Sequence, residues 1–287
     1  MPNTLDLRRR IRSVKSTQQI TKAMKMVAAA RLRRAQARIM EARPYAAAME
    51  AVLRSVAARV PSHKHPLLDA REERSVTLVT VTGDKGLCGA FNANVLREAL
   101  QVLRSGRWPA VELVLVGRKG IDFCRVRGIK PLATYAELMG KITPEAAFAL
   151  ARDLTQRFVS GDTDAVYLLS NRFRSIIRQE VTLQLLLPIP RAELEGGSPV
   201  SGYLYEPNPG ALLDDLLPRH VEFQVLRALL SSQAAEQAAR MTAMDAASKN
   251  AGEMIDKLTL TYNRVRQASI TKEIIEIVSG AQALGER

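Results

Sequence analysis

The stretch LRRAQARIMEARPYAAAMEAVLRSVAARV, Leu32 to Val60, decides the fold. A stripe of small and apolar residues runs through Leu32, Ala35, Ile39, Ala42, Ala46, Met49, Leu53, Val56 and Val60, in alternating steps of three and four. That alternation keeps one stripe of an α-helix against a partner helix, as in a coiled coil. The register extends backwards through Ala28, Lys25, Thr21, Gln18, Val14, Ile11 and Leu7. A second stripe lies near the other end, at Leu230, Ala234, Gln237, Met241, Met244, Ser248, Ala251, Ile255, Leu258, Tyr262 and Val265. The simplest reading winds the two ends on each other, antiparallel, with a middle domain beside the pair. Two separate amphipathic helices on a globular core also fit the stripes. At the rise of an α-helix, residues 4–60 would span about 85 Å and residues 212–284 about 110 Å. Both exceed what a domain of ordinary size can bury. Because the seams are rich in Ala and Met, each turn buries little apolar area, so the coil should be slender and moderately stable alone.

The middle has a different period. Ser75–Thr82 (SVTLVTVT), Val111–Val116, Ala165–Ser170 and Val181–Leu187 are β-branched or aliphatic runs suited to buried strands. Between them lie helical patterns. Asn92–Ser105 puts Val95, Ala99, Val102 and Leu103 on one face. Residues 143–160 open with Thr143 as N-cap, Pro144 at the first position and Glu145 in the first turn. Alternating strands and helices predict an α/β sheet of the doubly wound, Rossmann-like type. The expected organisation is a coiled-coil helix over 1–60, an α/β domain over 75–190 and a second coiled-coil helix over 211–287. Residues 61–74 read as a linker. Residues 188–210, with five prolines and four glycines, read as a loop.

The net charge of +13 is unevenly placed. Residues 1–60 hold 14 Lys and Arg against 3 Asp and Glu, whereas residues 211–287 hold 9 against 10. The basic first helix therefore calls for an acidic or phosphate-bearing neighbour. No apolar run is long enough for a transmembrane helix, and charge dominates the start of the chain, so the expectation is a cytosolic protein. The two cysteines, Cys88 and Cys124, make neither a disulfide framework nor a metal motif.

Candidate chemistry is sparse. The turn Thr82-Gly83-Asp84-Lys85-Gly86-Leu87-Cys88-Gly89-Ala90-Phe91-Asn92 joins a strand to a helix, where nucleotide folds place phosphates. Its glycine spacing is not the dinucleotide fingerprint, and no Gly-Lys-Ser/Thr P-loop occurs, so tight turning accounts for it better. His63 and His65 form a His-x-His pair without a third placed ligand. Cys88 suits a small buried thiol better than a nucleophile. Glu72-Glu73 and Asp214-Asp215 read as solvated pairs. No catalytic, metal, nucleotide or cofactor site is expected. A basic region running into heptads is also how some nucleic-acid-binding coiled coils are built, although here the two overlap and aromatics are few.

Three separated stretches resemble one family. Leu7-Arg8-Arg9-Arg10-Ile11 and Ser16 through Ala30 (STQQITKAMKMVAAA) resemble the N-terminal helix of the gamma subunits of F-type ATP synthases, bacterial type. Asp84-Lys85-Gly86-Leu87-Cys88-Gly89 resembles their mid-domain signature. Met241-x-x-Met244-Asp245-Ala246-Ala247-x-x-Asn250-Ala251 and Tyr262-Asn263-x-x-Arg266-Gln267-Ala268-Ser269-Ile270-Thr271-x-Glu273-Ile274-x-Glu276-Ile277 resemble their C-terminal helix. The resemblance implies a non-catalytic central rotor shaft. It would couple proton flow through a membrane ring of c subunits to ATP synthesis or hydrolysis on beta subunits. Implied partners are three alpha and three beta subunits, the epsilon subunit and the c-ring. The implied place is peripheral, on the cytoplasmic face of the bacterial cell membrane, with no nucleic acid bound. By the same resemblance, Met24, Lys25, Arg266, Gln267, Thr271, Glu273 and Glu276 would meet beta-subunit loops. Ile274, Ile277, Val278, Ala281 and Leu284 would form an apolar bearing tip. The inward polar residues Gln18, Thr21 and Lys25 are expected to make contacts outside the helix pair. Chloroplast-type relatives carry a redox insert with cysteines; the loop 191–210 has none, so no thiol switch is expected.

Overall fold

Strand β1 (Ser75–Val81) stands at the centre of a five-stranded sheet. The computed structural model describes residues 3–60, 63–194, 206 and 208–285. In chain order the elements are α1 (Thr4–Ala57), β1, α2 (Phe91–Arg104), β2 (Ala110–Val116), α3 (Arg118–Val126) and β3 (Ala133–Tyr135). Then follow α4 (Pro144–Ser160), β4 (Ala165–Phe173), β5 (Gln179–Leu187), the short α5 (Arg191–Leu194) and α6 (Pro209–Gly285). The residues fall into two compact units. Residues 28–240 form one; residues 1–27 with 241–287 form the other.

In the larger unit the strand order is β3-β2-β1-β4-β5. The first four pair in parallel, with Val76 beside Val111 and Ala165. β5 runs antiparallel to β4, with Leu169 opposite Leu183 and an irregularity at Val166/Tyr167. The alternation of each strand divides its side chains between two cores. Val79, Val81, Val114, Val116 and Leu168 face a layer built from α4, the end of α1 and the start of α6, including Leu150, Leu154, Phe158, Leu53, Val56, Leu217 and Val221. Val76, Leu78, Leu113, Leu115 and Leu169 face α2 and α3 through Val95, Ala99 and Cys124. Burial on both faces explains why the strands read as continuous apolar runs.

Helix α4 begins as its sequence dictates: Thr143 Oγ1 accepts from the Ala146 amide at 3.3 Å, and Pro144 follows. It ends at Gly161, whose φ of 86° suits glycine.

Three elements, β3, α3 and the short α5, escape the sequence reading. β3 has only three residues, too few for a periodic signal. α3 starts with Arg118-Lys119-Gly120, which resembles a loop. Gly120 suits that place: its amide donates to Thr82 Oγ1 at 2.9 Å, and at that approach a Cβ would lie 3.0 Å from the oxygen, so a larger residue would crowd it. The segment 188–210 contains α5, and α6 begins at Pro209; residues 195–205 and 207 lie outside the described residues.

Every seam position of α1 in this unit is buried or half-buried, from Ala28 and Leu32 to Leu53 and Val56. Leu32 and Ala35 pack on Ala234 and Ala238 of α6. In the smaller unit the same relation holds: Leu7 and Thr21 are buried, Ile11, Val14, Gln18 and Lys25 half-buried, and Met244 and Ala251 buried opposite. Residue numbers rise on one helix as they fall on the other. Lys25 meets Asp245, Gln18 approaches Gly252, and Arg8 meets Tyr262, so the pairing is antiparallel.

Candidate functional site

In an open α/β sheet, ligands settle outside the carboxyl ends of the strands where the winding reverses. Here that point lies beside β1, at the glycine-rich turn 82–92, and the chain's own helix fills it. Thr82 anchors the turn: its amide donates to Val116 O at 2.8 Å and its hydroxyl to the same carbonyl at 2.9 Å. The Gly83 amide donates to Asn92 Oδ1 at 2.8 Å, closing the loop onto the start of α2. A Cβ on Gly83 would lie 3.0 Å from Cδ of Glu236, on α6. Arg240, one turn further, donates through Nη1 to Gly86 O at 2.6 Å and ion-pairs with Glu236. Both side chains are buried. Beneath them Cys88 and Phe91 pack on Ala235.

Burial pushes the Glu236 carboxyl upward, while the Arg240 guanidinium pulls the other way. A carboxylate pressed on the turn is the wrong charge for a phosphate cradle. The arrangement clamps the turn to α6. Asp84 extends the clamp sideways: its Oδ1 accepts from the amides of Arg118 at 3.0 Å and Glu137 at 3.1 Å. Glu236 and Arg240 were legible only as a charged pair spaced four apart on a helix, and nothing in the sequence placed them over the turn.

The other candidates have ordinary structural roles. His63 Nε2 lies 2.6 Å from Asp214 Oδ1, fastening the linker to the start of α6. His65 Nδ1 accepts from the Leu67 amide at 3.1 Å, and burial lowers its pKa. The acidic pair Glu72-Glu73 is not simply solvated. Glu73 accepts from Tyr167 at 2.8 Å and from the Trp108 indole. Cys88 and Cys124 are buried free thiols, and burial raises the pKa of each. Among the described residues no His, Cys, Asp and Glu cluster could hold a metal ion.

The residues expected to meet partners lie in the smaller unit. Met24 is half-buried on α1. Lys25 Nζ binds Asp245 Oδ1 at 2.6 Å, and Lys249 takes the other oxygen at 3.2 Å. The hydrogen bond from Lys25, with that from Lys249, lowers the Asp245 pKa. Gln18 Nε2 reaches Ser248 O at 3.4 Å, and Thr21 Oγ1 donates to Gln18 O at 3.0 Å. Within this chain the inward polar residues bond across the pair or within their own helix. Inside a seam they fix register. Arg8 donates to the Tyr262 hydroxyl at 2.8 Å, and Arg266 lies 5.9 Å from the same ring centre.

Beyond this point, among the described residues, Arg266, Gln267, Thr271, Glu273 and Glu276 are exposed and bond only along their own helix. Thr271 donates to Gln267 O at 2.9 Å, Ser269 donates to Glu273 Oε1 at 3.2 Å, and Lys272 pairs with Glu276 at 3.3 Å. Ile274, Ile277 and Val278 are 54%, 70% and 51% exposed, on a stretch that also exposes Ile270 and Ile275. Ala281 and Leu284 lie on α6, but their side chains fall outside the described residues.

Comparison with known proteins gives one answer. The ATP synthase family model matches residues 3–284. The chain is 49% identical to the ATP synthase gamma chain of Anaeromyxobacter sp. (strain Fw109-5) over 289 residues, covering 99% of this chain and 100% of that one. It is 52% identical to the ATP synthase gamma chain of Solibacter usitatus (strain Ellin6076) over 288 residues, covering 99% of each. Among solved structures it resembles a chain of the Tetrahymena thermophila mitochondrial ATP synthase central stalk and c-ring, at 29% identity and a TM-score of 0.62. That match covers 80% of this chain and 99% of the other. A chain of the Euglena gracilis mitochondrial ATP synthase in rotational state 3 shares the fold, with a TM-score of 0.68 at 22% identity, covering 98% and 94%.

Proposed function

The chain belongs to the ATP synthase gamma chain family, and on that premise we propose that it turns inside its complex as the central shaft of a rotary motor. It is a non-catalytic subunit: proton flow through a c-ring drives it, and ATP is made or hydrolysed on beta subunits. It assembles with three alpha and three beta subunits, an epsilon subunit and the c-ring. No helix among the described residues is long and apolar enough to cross a membrane. The complex is held peripherally through the c-ring, at the cytoplasmic face of a bacterial cell membrane.

The observation that carries this reading is the paired termini. Lys25–Asp245 and Arg8–Tyr262 bond two helices of opposite direction side by side, which resists their sliding along each other. Next to that pair, α6 presents exposed polar groups at Arg266, Gln267, Thr271, Glu273 and Glu276, suited to beta-subunit loops. With Met24 and Lys25 they form the proposed grip. Ile274, Ile277 and Val278, with Ala281 and Leu284 further along α6, form the proposed apolar bearing tip. A shaft biases the open and closed states of its partners, and supplies only the difference in contact energy between them.

Met24→Lys tests the grip. It adds positive charge next to Lys25 on a helix already rich in it. In reconstituted vesicles the variant complex should pump fewer protons per ATP hydrolysed. An unchanged ratio would remove Met24 from the contact.

A further inference from the structure

In the smaller unit one tyrosine is held by arginines from both helices. Arg8 of α1 donates through Nη2 to the Tyr262 hydroxyl at 2.8 Å, and its guanidinium carbon lies 5.7 Å from the ring centre. Arg266, one turn further along α6, brings its guanidinium carbon to 5.9 Å from the same centre. Both distances lie within cation–π range. Neither arginine has a carboxylate partner within 4.0 Å among the described residues. The hydrogen bond from Arg8 is the first cause that lowers the Tyr262 phenol pKa below its ordinary value.

The place of this cluster matters as much as its chemistry. The antiparallel register that sets Lys25 against Asp245 and Arg8 against Tyr262 brings Arg266 level with Thr4, where α1 begins. Among the described residues no cross-helix hydrogen bond lies further along α6 than the one at Tyr262. On an α-helix, residues four apart are neighbours and side chains lean toward the N-terminus, so Arg266 falls back onto Tyr262. Two guanidiniums so near each other repel. The phenol oxygen and the negative ring face offset that repulsion and give each arginine a seat. An arginine seated on a ring keeps a planar fork of N–H donors for a further acceptor.

We propose that Tyr262, fastened by Arg8, is a positioning residue for the shaft's grip, and that it aims the Arg266 guanidinium at a carboxylate or carbonyl acceptor on a beta-subunit loop. This role rests on the reading of Arg266 as a beta-subunit contact. Without the tyrosine, repulsion from Arg8 turns Arg266 away, and the contact loses its preset geometry.

The test is proton-driven ATP synthesis by the assembled complex in vesicles, with subunit composition measured on each preparation. Arg266→Gln and Tyr262→Leu should each lower synthesis by about two- to fivefold. Tyr262→Leu combined with Arg266→Gln should be no worse than Arg266→Gln alone, since positioning has no value once the positioned group is gone. Arg8→Gln should lower synthesis by a similar factor, and Arg8→Lys should restore most of it, because lysine keeps the charge and a donor. Tyr262→Phe keeps the ring and removes the hydroxyl, so it should fall between the parent and Tyr262→Leu. The Arg8 variants and Tyr262→Phe carry the test even where Tyr262→Leu does not assemble.

Full synthesis by Tyr262→Leu, with Arg266→Gln impaired, would leave the grip standing and overturn the positioning role. Losses that add in the double variant would overturn it as well, since a tyrosine that only stabilises the coil acts independently of Arg266. An unimpaired Arg266→Gln would remove Arg266 from the grip, and Tyr262 with it.

Discussion

Tyr167 and Tyr135 each donate a phenolic hydrogen to a carboxylate, Tyr167 to Glu73 at 2.8 Å and Tyr135 to Asp153 at 3.1 Å. Burial is the first cause that pushes both phenols from 10.0 up to about 12. The hydrogen bond to Glu73 for Tyr167, and the Asp153 charge for Tyr135, add to it. The sign follows from linkage. A group whose folded pKa is raised lends stability that is complete below its unfolded value and is lost as pH rises through the folded one. The window is therefore about pH 10 to about pH 12. A Tyr135→Phe, Tyr167→Phe double variant should show a shallower fall in urea-unfolding stability across that window than the parent. At neutral pH it should be weaker by about 1 kcal/mol for each lost hydrogen bond. Parallel alkaline limbs would mean that these phenols do not control the transition. Neither partner was legible in the sequence. Glu73 lies next to Glu72 in a charged linker, and only the sheet brings Tyr167 and Trp108 to it. The same blindness applies to Gly117. Its φ of 90° and the 2.0 Å a Cβ would have to Thr82 O exist only once β1 and β2 lie side by side.

The long helices were more legible than the sheet because a repeating stripe reports itself many times over. Each seam position from Leu7 to Val60 is buried or half-buried, as is each position from Leu230 to Val265. A short strand such as β3, or a helix opened by glycine such as α3, has no repetition to reveal it. The antiparallel edge strand β5 was legible as a strand but not in direction, because direction is set by the short connection from β4. Along the seam the residues contribute unequally. In the cluster with Ala35, Ala234 and Ala238, Leu32 is the one large buried side chain. Fully burying a leucine contributes about 1.5–3 kcal/mol, and alanines whose backbones are already close cannot collapse into the space it would leave. Leu32→Ala should therefore lower unfolding stability by about 2–4 kcal/mol, read from the urea midpoint at constant slope. Met40→Ala, on the same helix but 59% exposed, should stay within about 0.5 kcal/mol of the parent. Equal losses at the two positions would mean that the stripe does not define the buried seam.

At the scale of the whole molecule, charge and exposed apolar surface separate what holds the chain together from what it offers to partners. The excess of positive charge lies on residues 1–60, whereas the exposed isoleucines cluster near the end of α6, at Ile270, Ile274, Ile275 and Ile277. A run of apolar side chains left in water contributes little to the stability of the isolated chain and costs little to remove. The role proposed for these residues rests on resemblance, because no pattern within one chain encodes a partner that would cover them. The two roles can be separated experimentally. Glutamine keeps a similar length and helix propensity while removing the apolar surface. Ile274→Gln, Ile277→Gln and Val278→Gln together should leave the melting temperature of the isolated chain nearly unchanged. In the assembled complex, the same variant should lower ATP synthesis driven by a proton gradient, because water and unpaired amides would then sit against an apolar sleeve. A large drop in the melting temperature of the isolated chain would show that these side chains support the fold. Full synthesis activity with an unchanged melting temperature would show that the bearing lies elsewhere on α6.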